Sequence, residues 1–226
     1  MDLPAAFNRL KTGFKSRGFD YLLEAGFDHI PHRLLFFARF LLMVADTCDI
    51  PVRCYADYQV RMLTLDDLSN IAGFSFSIDM AQRELREGSV CVVVIKDGNA
   101  VSWRWGATGS LYVEYCNTVV QTGDDGYYTY RLETIPEERF RGHVNTCLRT
   151  MHEYYGNLNR TRNYTLISTR SVSNLKWHER SGFKMIGDIF VLTICGLRFC
   201  FYRKWPFHGK RFTLTVRIPP EGTRQV

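Results

Sequence analysis

The feature that most constrains the fold of this sequence is a β-branched run followed at once by a turn signal. Val90–Lys96 has the sequence Val-Cys-Val-Val-Val-Ile-Lys, and such a continuous apolar run is typical of a buried strand. Asp97-Gly98-Asn99 follows, and Asp-Gly between apolar segments strongly predicts a hairpin turn. Ala100–Gly106 then returns as the partner strand. The sequence therefore predicts a buried antiparallel pair.

Helices and further strands alternate around this hairpin. Helices are predicted over Ile78–Arg86, Arg141–Tyr155 and Val172–Arg180, and Thr64 is expected to cap a further helix that starts at Leu65. The other predicted strands are Tyr58–Leu63, Leu111–Val120, Tyr127–Thr134, Asn163–Ser168, Met185–Cys195, Leu197–Trp205 and Arg211–Ile218. Because several neighbouring strands form hairpins, the expected fold class is α/β with a mixed (α+β) sheet, and not a doubly wound parallel one.

The first fifty residues differ from the rest, and we expect a helical extension, 1–50, before a main domain, 51–226, with the junction at Ile50-Pro51. Pro31–Val44 is predicted to be helical, because proline suits a first turn and Leu, Phe, Ala and Met suit a helix interior. Its apolar run is shorter than the roughly 20 residues that cross a membrane. The helix either caps the main domain, which we favour, or lies peripherally on the inner membrane surface.

The charge of the chain is concentrated near its end. The net charge is +6. Between Arg198 and Val226 one glutamate, Glu221, stands against seven basic residues, namely Arg198, Arg203, Lys204, Lys210, Arg211, Arg217 and Arg224. This segment is either a solvated strand edge guarded by basic side chains or a surface for a phosphate-rich ligand, an acidic carrier protein or an anionic membrane.

Cysteine and histidine usage argues against a disulfide frame and a metal site. The chain has seven cysteines, an odd number without a C-x-x-C pair, which fits reduced thiols in a cytoplasmic protein. The six histidines show no H-E-x-x-H or similar spacing, so no metal cofactor is expected. Although the chain is basic, it has no recognisable nucleic-acid-binding motif, so no nucleic-acid partner is expected.

The most informative segment for chemistry is Glu133–Leu148, in which a strand ends, a proline-containing turn follows and a helix begins near Gly142. The N–H groups at a helix start have no internal partners, and together with the helix dipole they favour an anion, especially phosphate. Gly142 lets a ligand approach the backbone closely. Arg139 and Arg141 add positive charge beside it. A tight strand–helix turn with exposed arginines is the alternative interpretation.

A second segment, Ser173–Lys184, is a short helix that ends at Gly182-Phe183. Taken together and in this order, the two segments resemble the GNAT superfamily of N-acetyltransferases. The family's phosphate loop, Gln/Arg-x-x-Gly-x-Gly/Ala, is matched by Arg139–Val144, and its later Tyr-x-x-x-Gly-Phe is matched with His178 in place of the tyrosine. The resemblance covers roughly Tyr58–Trp205.

The resemblance implies a sheet whose central strands splay into a V that holds the pantetheine arm of acetyl-CoA or another acyl-CoA. Transferred residue by residue, it implies that Thr134 and Ile135 offer backbone groups to the pantetheine and that Asn174 approaches it. The implied cradle of the pyrophosphate consists of Arg139, Arg141, Gly142, His143 and Val144.

Two departures from the family's motifs leave the identity of the acyl donor open. Val144 replaces the usual second Gly or Ala, and Asn174 is displaced by about one helical turn from the family's asparagine. Some relatives take the acyl group from an acyl carrier protein, which would suit the basic C-terminal segment.

For catalysis, acyl transfer to an amine needs a base and an acid for the leaving thiolate. Glu114 and Glu133 are the candidate bases, on strands expected to border the cleft, and His178 is the candidate acid. Cys147 is expected to be a buried thiol and not a nucleophile. The predicted function is N-acyl transfer from acyl-CoA to a small amine or amino sugar by direct attack in a ternary complex. The alternatives are a carrier-dependent or membrane-associated acyltransferase and a non-catalytic acyl-CoA-binding module.

Overall fold

A computed structural model of the chain describes residues 35–46, 57–116, 118–195, 197–204, 213–214 and 224–225. The part of the predicted helical extension before residue 35, the Ile50-Pro51 junction and most of the basic segment after Trp205 lie outside the described residues. The domain boundary near residue 50 therefore stays a prediction.

The described strands follow one another along the chain as β1 (Leu35–Asp46), β2 (Gln59–Met62), β3 (Val90–Lys96), β4 (Asn99–Ala107), β5 (Ser110–Val113), β6 (Thr118–Gln121), β7 (Gly126–Thr134), β8 (Arg162–Ser168), β9 (Lys184–Ile194), β10 (Leu197–Lys204), β11 (Thr213–Leu214) and β12 (Arg224–Gln225).

Three α-helices are described, namely α1 (Ile78–Arg86), α2 (His143–Gly156) and α3 (Val172–Arg180). Short 3-10 helices cover Asp66–Ser69, Glu114–Cys116 and Pro136–Glu138. None of the helices in the described part of the chain is long and apolar enough to cross a membrane.

One compact unit includes the described residues within 45–111 and 120–165. In it β2, β3, β4 and β7 pair in that order and antiparallel, whereas β7 pairs with β8 in parallel. The β3–β4 hairpin and the mixed α/β sheet are confirmed. The predicted helix Ile78–Arg86 has the predicted bounds, and Ser77 caps it by accepting a hydrogen bond from the Met80 amide at 3.2 Å.

The sheet of this unit is covered on both faces, which explains the continuous apolar run of β3. Val93 and Ile95 belong to a buried cluster with Ala81 of α1. Val92 and Val94 belong to a second cluster with Cys147 and other residues of α2. Successive side chains of a strand point to opposite faces, so β3 serves both layers at once.

The other compact unit includes β9, β10, β11, α3 and nearly all of β1. Strand β9 pairs antiparallel with β1 on one side and with β10 on the other. An ion pair joins β1 and β9, with Arg39 Nη2 2.6 Å from the carboxylate of the buried Asp188. The Arg39 guanidinium also lies 5.0 Å from the centre of the Phe190 ring.

The helix predicted over Pro31–Val44 is wrong where the structure describes it, because Leu35–Asp46 form strand β1. Ten residues of β1 have partners in β9, from Leu35 opposite Ile194 to Val44 opposite Lys184. Antiparallel pairing and the Arg39–Asp188 ion pair thus outweigh the helical propensity of Leu, Phe, Ala and Met, which is a weak preference in comparison.

Two shorter predictions also need correction. The strand expected over Leu111–Val120 is two short strands, β5 and β6, on either side of the 3-10 helix Glu114–Cys116. The helix expected after Thr64 is a single 3-10 turn, in which the Thr64 hydroxyl and the Asp67 carboxylate hydrogen-bond at 2.8 Å. A side chain that satisfies its own turn in this way favours a turn over a continued helix.

One residue of α2 is a buried histidine. His152 is 5% exposed, and its Nδ1 hydrogen-bonds to the hydroxyl of the buried Tyr127. Burial, together with the nearby charge of Arg104, lowers the pKa of His152 to about 4. The folded protein therefore holds this imidazole neutral at pH values at which the unfolded chain protonates it.

We predict that His152 makes stability pH-dependent between pH 6.5, the ordinary pKa of a histidine, and about pH 4, its pKa in the folded protein. In that window the unfolded chain binds a proton that the folded chain does not, so the free energy of unfolding falls as the pH falls, by about 3 kcal/mol in all. Urea denaturation at several pH values should show that the free energy of unfolding falls more steeply with falling pH in the wild type than in His152→Gln. Parallel losses in the two proteins would contradict the prediction.

Candidate functional site

The turn between β7 and α2 is shaped by backbone conformation. Gly142, at the N-cap of α2, is left-handed with φ 86°, which a glycine adopts without steric cost. Its carbonyl accepts the amides of Asn145 and Thr146 at 3.0 and 3.2 Å. Phe140, two residues earlier, also has a positive φ, 66°, and its side chain is fully exposed.

The first amides of α2 have no acceptor within the described part of the chain. No backbone or side-chain oxygen is assigned to the N–H groups of Gly142, His143 or Val144, and Gly142 has no side chain to cap the helix. These are the donors that a helix leaves unsatisfied at its start. Donors of this kind favour an anion, and the anion site predicted at this turn stays a prediction.

Two exposed arginines flank this helix start. Arg139 Nε donates to the Thr134 carbonyl at 3.3 Å. Arg141 Nη1 donates to the Tyr58 hydroxyl at 3.2 Å. Thr134 also shares a 2.8 Å hydrogen bond between its hydroxyl and that of Ser102. The arginines are thus positioned by contacts with β7 and with the start of β2.

The main chain of Ile135 is engaged within the protein. Its N–H donates to the Val101 carbonyl at 3.0 Å, and its carbonyl accepts the Glu138 amide at 3.1 Å. The predicted contact between Ile135 and a pantetheine arm therefore depends on the second lone pair of its carbonyl oxygen.

Sequence reasoning missed the carboxylate at the centre of this region, that of Glu138, which is 7% exposed. Its Oε2 accepts from the Tyr58 hydroxyl at 2.7 Å and lies 3.2 Å from His143 Nε2 and 3.3 Å from Arg141 Nε. Its Oε1 accepts from Lys96 Nζ at 3.1 Å. We call these five residues the Glu138 cluster.

The Glu138 cluster keeps its carboxylate ionised. Burial by itself would raise the pKa of Glu138, but the hydrogen bonds from Tyr58, His143 and Lys96 and the charge of Arg141 together lower it to about 2. The hydrogen bond between Lys96 and Glu138 raises the pKa of Lys96 in turn. Glu138 is therefore a fixed negative charge held among cations.

Strand β7 changes its pairing along its length. The parallel register with β8 runs from Gly126 opposite Arg162 to Tyr128 opposite Tyr164. Within the described chain the rest of β7 is paired with β4 alone, as far as Thr134 opposite Ser102. Strand β7 thus extends beyond its described pairing with β8 and ends at the turn that leads to α2.

A β-bulge interrupts this part of β7. Trp103 faces Glu133 and Trp105 faces Tyr130, so the single residue Arg104 faces both Arg131 and Leu132. Arg131 is left-handed, with φ 46°. A bulge leaves backbone groups outside the ladder and is frequent beside active sites.

The side chains of Arg131 and Glu133 both make contacts on the α1 side of the sheet. Arg131 reaches Glu84 of α1 at 3.3 Å, and Glu133 accepts the Ser75 hydroxyl at 2.5 Å. Thr134 points to the other face, where its partner Ser102 lies 3.9 Å from the Cys147 thiol of α2. Glu133 is exposed and is bound by an uncharged donor.

The remaining predicted site residues belong to the other compact unit. Glu114 is exposed and lies in a 3-10 helix, so its expected position on a strand is wrong. His178 is 2% exposed and packs on the Phe183 ring. Its Nδ1 donates to the Asn174 carbonyl at 2.9 Å, since a carbonyl only accepts. The roles predicted for Glu114, His178 and Asn174 stay predictions.

Cys147 is the buried thiol that the sequence predicted. It is fully buried, and burial raises its pKa to about 12. A thiol in this state is protonated at neutral pH and is a poor nucleophile. No group of His, Cys, Asp and Glu side chains that could hold a metal is found in the described part of the chain.

Comparison with solved structures supports the fold. A Drosophila protein of known crystal structure superimposes with a TM-score of 0.51 and 12% identity over 82% of this chain and 59% of its own. A GCN5-related N-acetyltransferase-like protein from Streptococcus suis gives a TM-score of 0.50 and 10% identity over 78% of this chain and 68% of its own. The chain has the GNAT fold.

The resemblance predicted from the sequence is therefore confirmed at the level of the fold. No known protein family matches the sequence, and no curated protein sequence is significantly similar to it. The chain spans about three fifths of the length of the Drosophila structure. At these identities the fold is shared, and the activity of this chain remains to be proposed from its own residues.

We predict that the thiols of this GNAT-fold chain differ sharply in reactivity. In the native protein iodoacetamide should modify Cys195, which is exposed, and leave Cys147 intact, because its thiol is buried and protonated. Peptide mass spectrometry before and after unfolding in urea measures this. Labelling of Cys147 in the native state at the rate of Cys195 would show that its burial is wrong.

Proposed function

We propose that this chain is an N-acyltransferase that moves an acetyl or longer acyl group from an acyl-CoA thioester to an amine. The observation that carries the proposal is the start of α2, where the amides of Gly142, His143 and Val144 lack acceptors in the described chain. Such a helix start suits a diphosphate. Arg139 and Arg141 supply the positive charge that a diphosphate requires.

The part of β7 beyond its parallel register with β8 is suited to the thioester arm. A pantetheine arm contains amide groups and can lie along a strand edge as an added strand does. The part of β7 beyond Tyr128 offers that edge and ends where the diphosphate would bind. The bulge at Arg131 and Leu132 leaves backbone groups outside the β4 ladder, and these are suited to hold the thioester carbonyl oxygen.

The proposed reaction is a direct attack. The amine nitrogen attacks the thioester carbonyl carbon, the new C–N bond forms as the C–S bond breaks, and the thiolate leaves. Glu133 takes the proton that the amine loses, because it is exposed on β7 and is not neutralised by an ion pair in the described chain. The proposed acceptor is a small amine or amino sugar.

Arg139 provides the binding test. Isothermal titration with CoA should show binding by the wild type and about tenfold weaker binding by Arg139→Met, because one charge-assisted contact with the diphosphate is lost. Arg149→Met is the matched control, since Arg149 is exposed on α2 and pairs with Glu153; its affinity should stay within about twofold. If wild-type protein binds no CoA, the proposed function is wrong.

Glu133 provides the catalytic test. With acetyl-CoA and a panel of amines, thiol release measured with a disulfide reagent should show kcat at least about 100-fold lower in Glu133→Gln, since a positioned general base contributes about that much. The KM for acetyl-CoA should change little. Binding of CoA by the wild type without turnover on any amine would favour the non-catalytic module, and unchanged kcat in Glu133→Gln would exclude this residue as the base.

A further inference from the structure

The Glu138 cluster connects the candidate diphosphate site to the sheet, and Glu138 itself has no part in the reaction proposed above. Tyr58 precedes β2, Lys96 ends β3, and Arg141 and His143 lie on either side of Gly142. All four approach the one carboxylate within 3.3 Å. The Tyr58 ring also packs against the His143 imidazole at a tilt of 55°, with 4.6 Å between ring centres.

We propose that Glu138 is a positioning residue for the diphosphate of the acyl donor, acting through Arg141 and His143 to fix the peptide groups on both sides of Gly142. The inference rests on the proposed function, since it concerns the same site. The amides offered to an anion are those of residues 142–144, and Glu138 holds the side chains of the residues before and after Gly142 against the sheet.

The charges of the cluster explain how a carboxylate is tolerated close to an anion site. Lys96 and Arg141 contact Glu138 directly, so two cations offset one anion. The carboxylate is buried and the hydrogen bonds to it are made, which is the condition for a stable buried charge. Arg141 is thereby engaged by Glu138 and Tyr58, which leaves Arg139 as the arginine that contacts the ligand.

The experiment compares Glu138→Gln with Glu137→Gln. Both remove one negative charge from the same 3-10 turn, but Glu137 is exposed whereas Glu138 is buried. Affinity is measured for CoA and for pantetheine, which has the thiol arm without the diphosphate. We expect Glu138→Gln to weaken CoA about tenfold and pantetheine less than twofold, with kcat at saturating acetyl-CoA unchanged. Glu137→Gln should leave CoA affinity unchanged or slightly higher.

The outcomes separate the two proposals. If wild-type protein binds no CoA, the proposed function and this inference both fail. If the wild type binds CoA and the two glutamine variants bind it equally, or if Glu138→Gln weakens CoA and pantetheine alike, only the positioning role is overturned.

A second variant keeps the test valid if Glu138→Gln does not fold. Tyr58→Phe retains the carboxylate and removes one donor, the hydroxyl at 2.7 Å. We expect about threefold weaker CoA binding and no change for pantetheine. Unchanged CoA binding in Tyr58→Phe would also overturn the positioning role.

Discussion

The close packing of α2 on β4 holds this helix in place on the sheet, and the candidate site at the start of the helix depends on that position. A Cβ atom at Gly106 of β4 would lie 2.9 Å from Met151 Sδ and 3.0 Å from the Tyr155 ring, so a larger residue there would force these α2 side chains to shift. Tyr155 also stacks on Tyr127 of β7, with ring centres 4.1 Å apart. Close-packed contacts of this kind leave a helix little freedom to slide. The first turn of α2 is thereby held near the end of β7.

The sequence predicted the elements whose signals are local. The turn at Asp97-Gly98 and the bounds of α1 follow from residues within a few positions of each other. Strand β1 could not be predicted in this way, because nearly every residue of it is apolar and a continuous apolar run fits a helix as well as a strand. Its state is decided by β9, whose Asp188 is 149 residues from Arg39.

The same distinction between local and distant contacts applies to the candidate site. The helix start at Gly142 and the arginines beside it were predicted, because the residues of such a turn are contiguous in sequence. The Glu138 cluster was not, since Tyr58 and Lys96 are 80 and 42 residues from Glu138. The bulge at Arg131 has no signal in the sequence either. It shows only in the register with β4 and in a positive φ at a residue that seldom adopts one.

The two glutamates near the end of β7 show how one short segment can hold both the proposed anion site and the proposed base. Glu138 is surrounded by a lysine, an arginine and a histidine, and its pKa of about 2 makes it a permanent anion that cannot accept a proton at neutral pH. Glu133 is exposed and is bound by the uncharged hydroxyl of Ser75. Because α1 and α2 cover opposite faces of the sheet, Glu133 faces the α1 side while the anion-attracting amides belong to α2. The sheet therefore separates the proposed anion-binding groups from the proposed base, and the different environments of two acidic groups assign them different roles in acid–base enzymes in the same way.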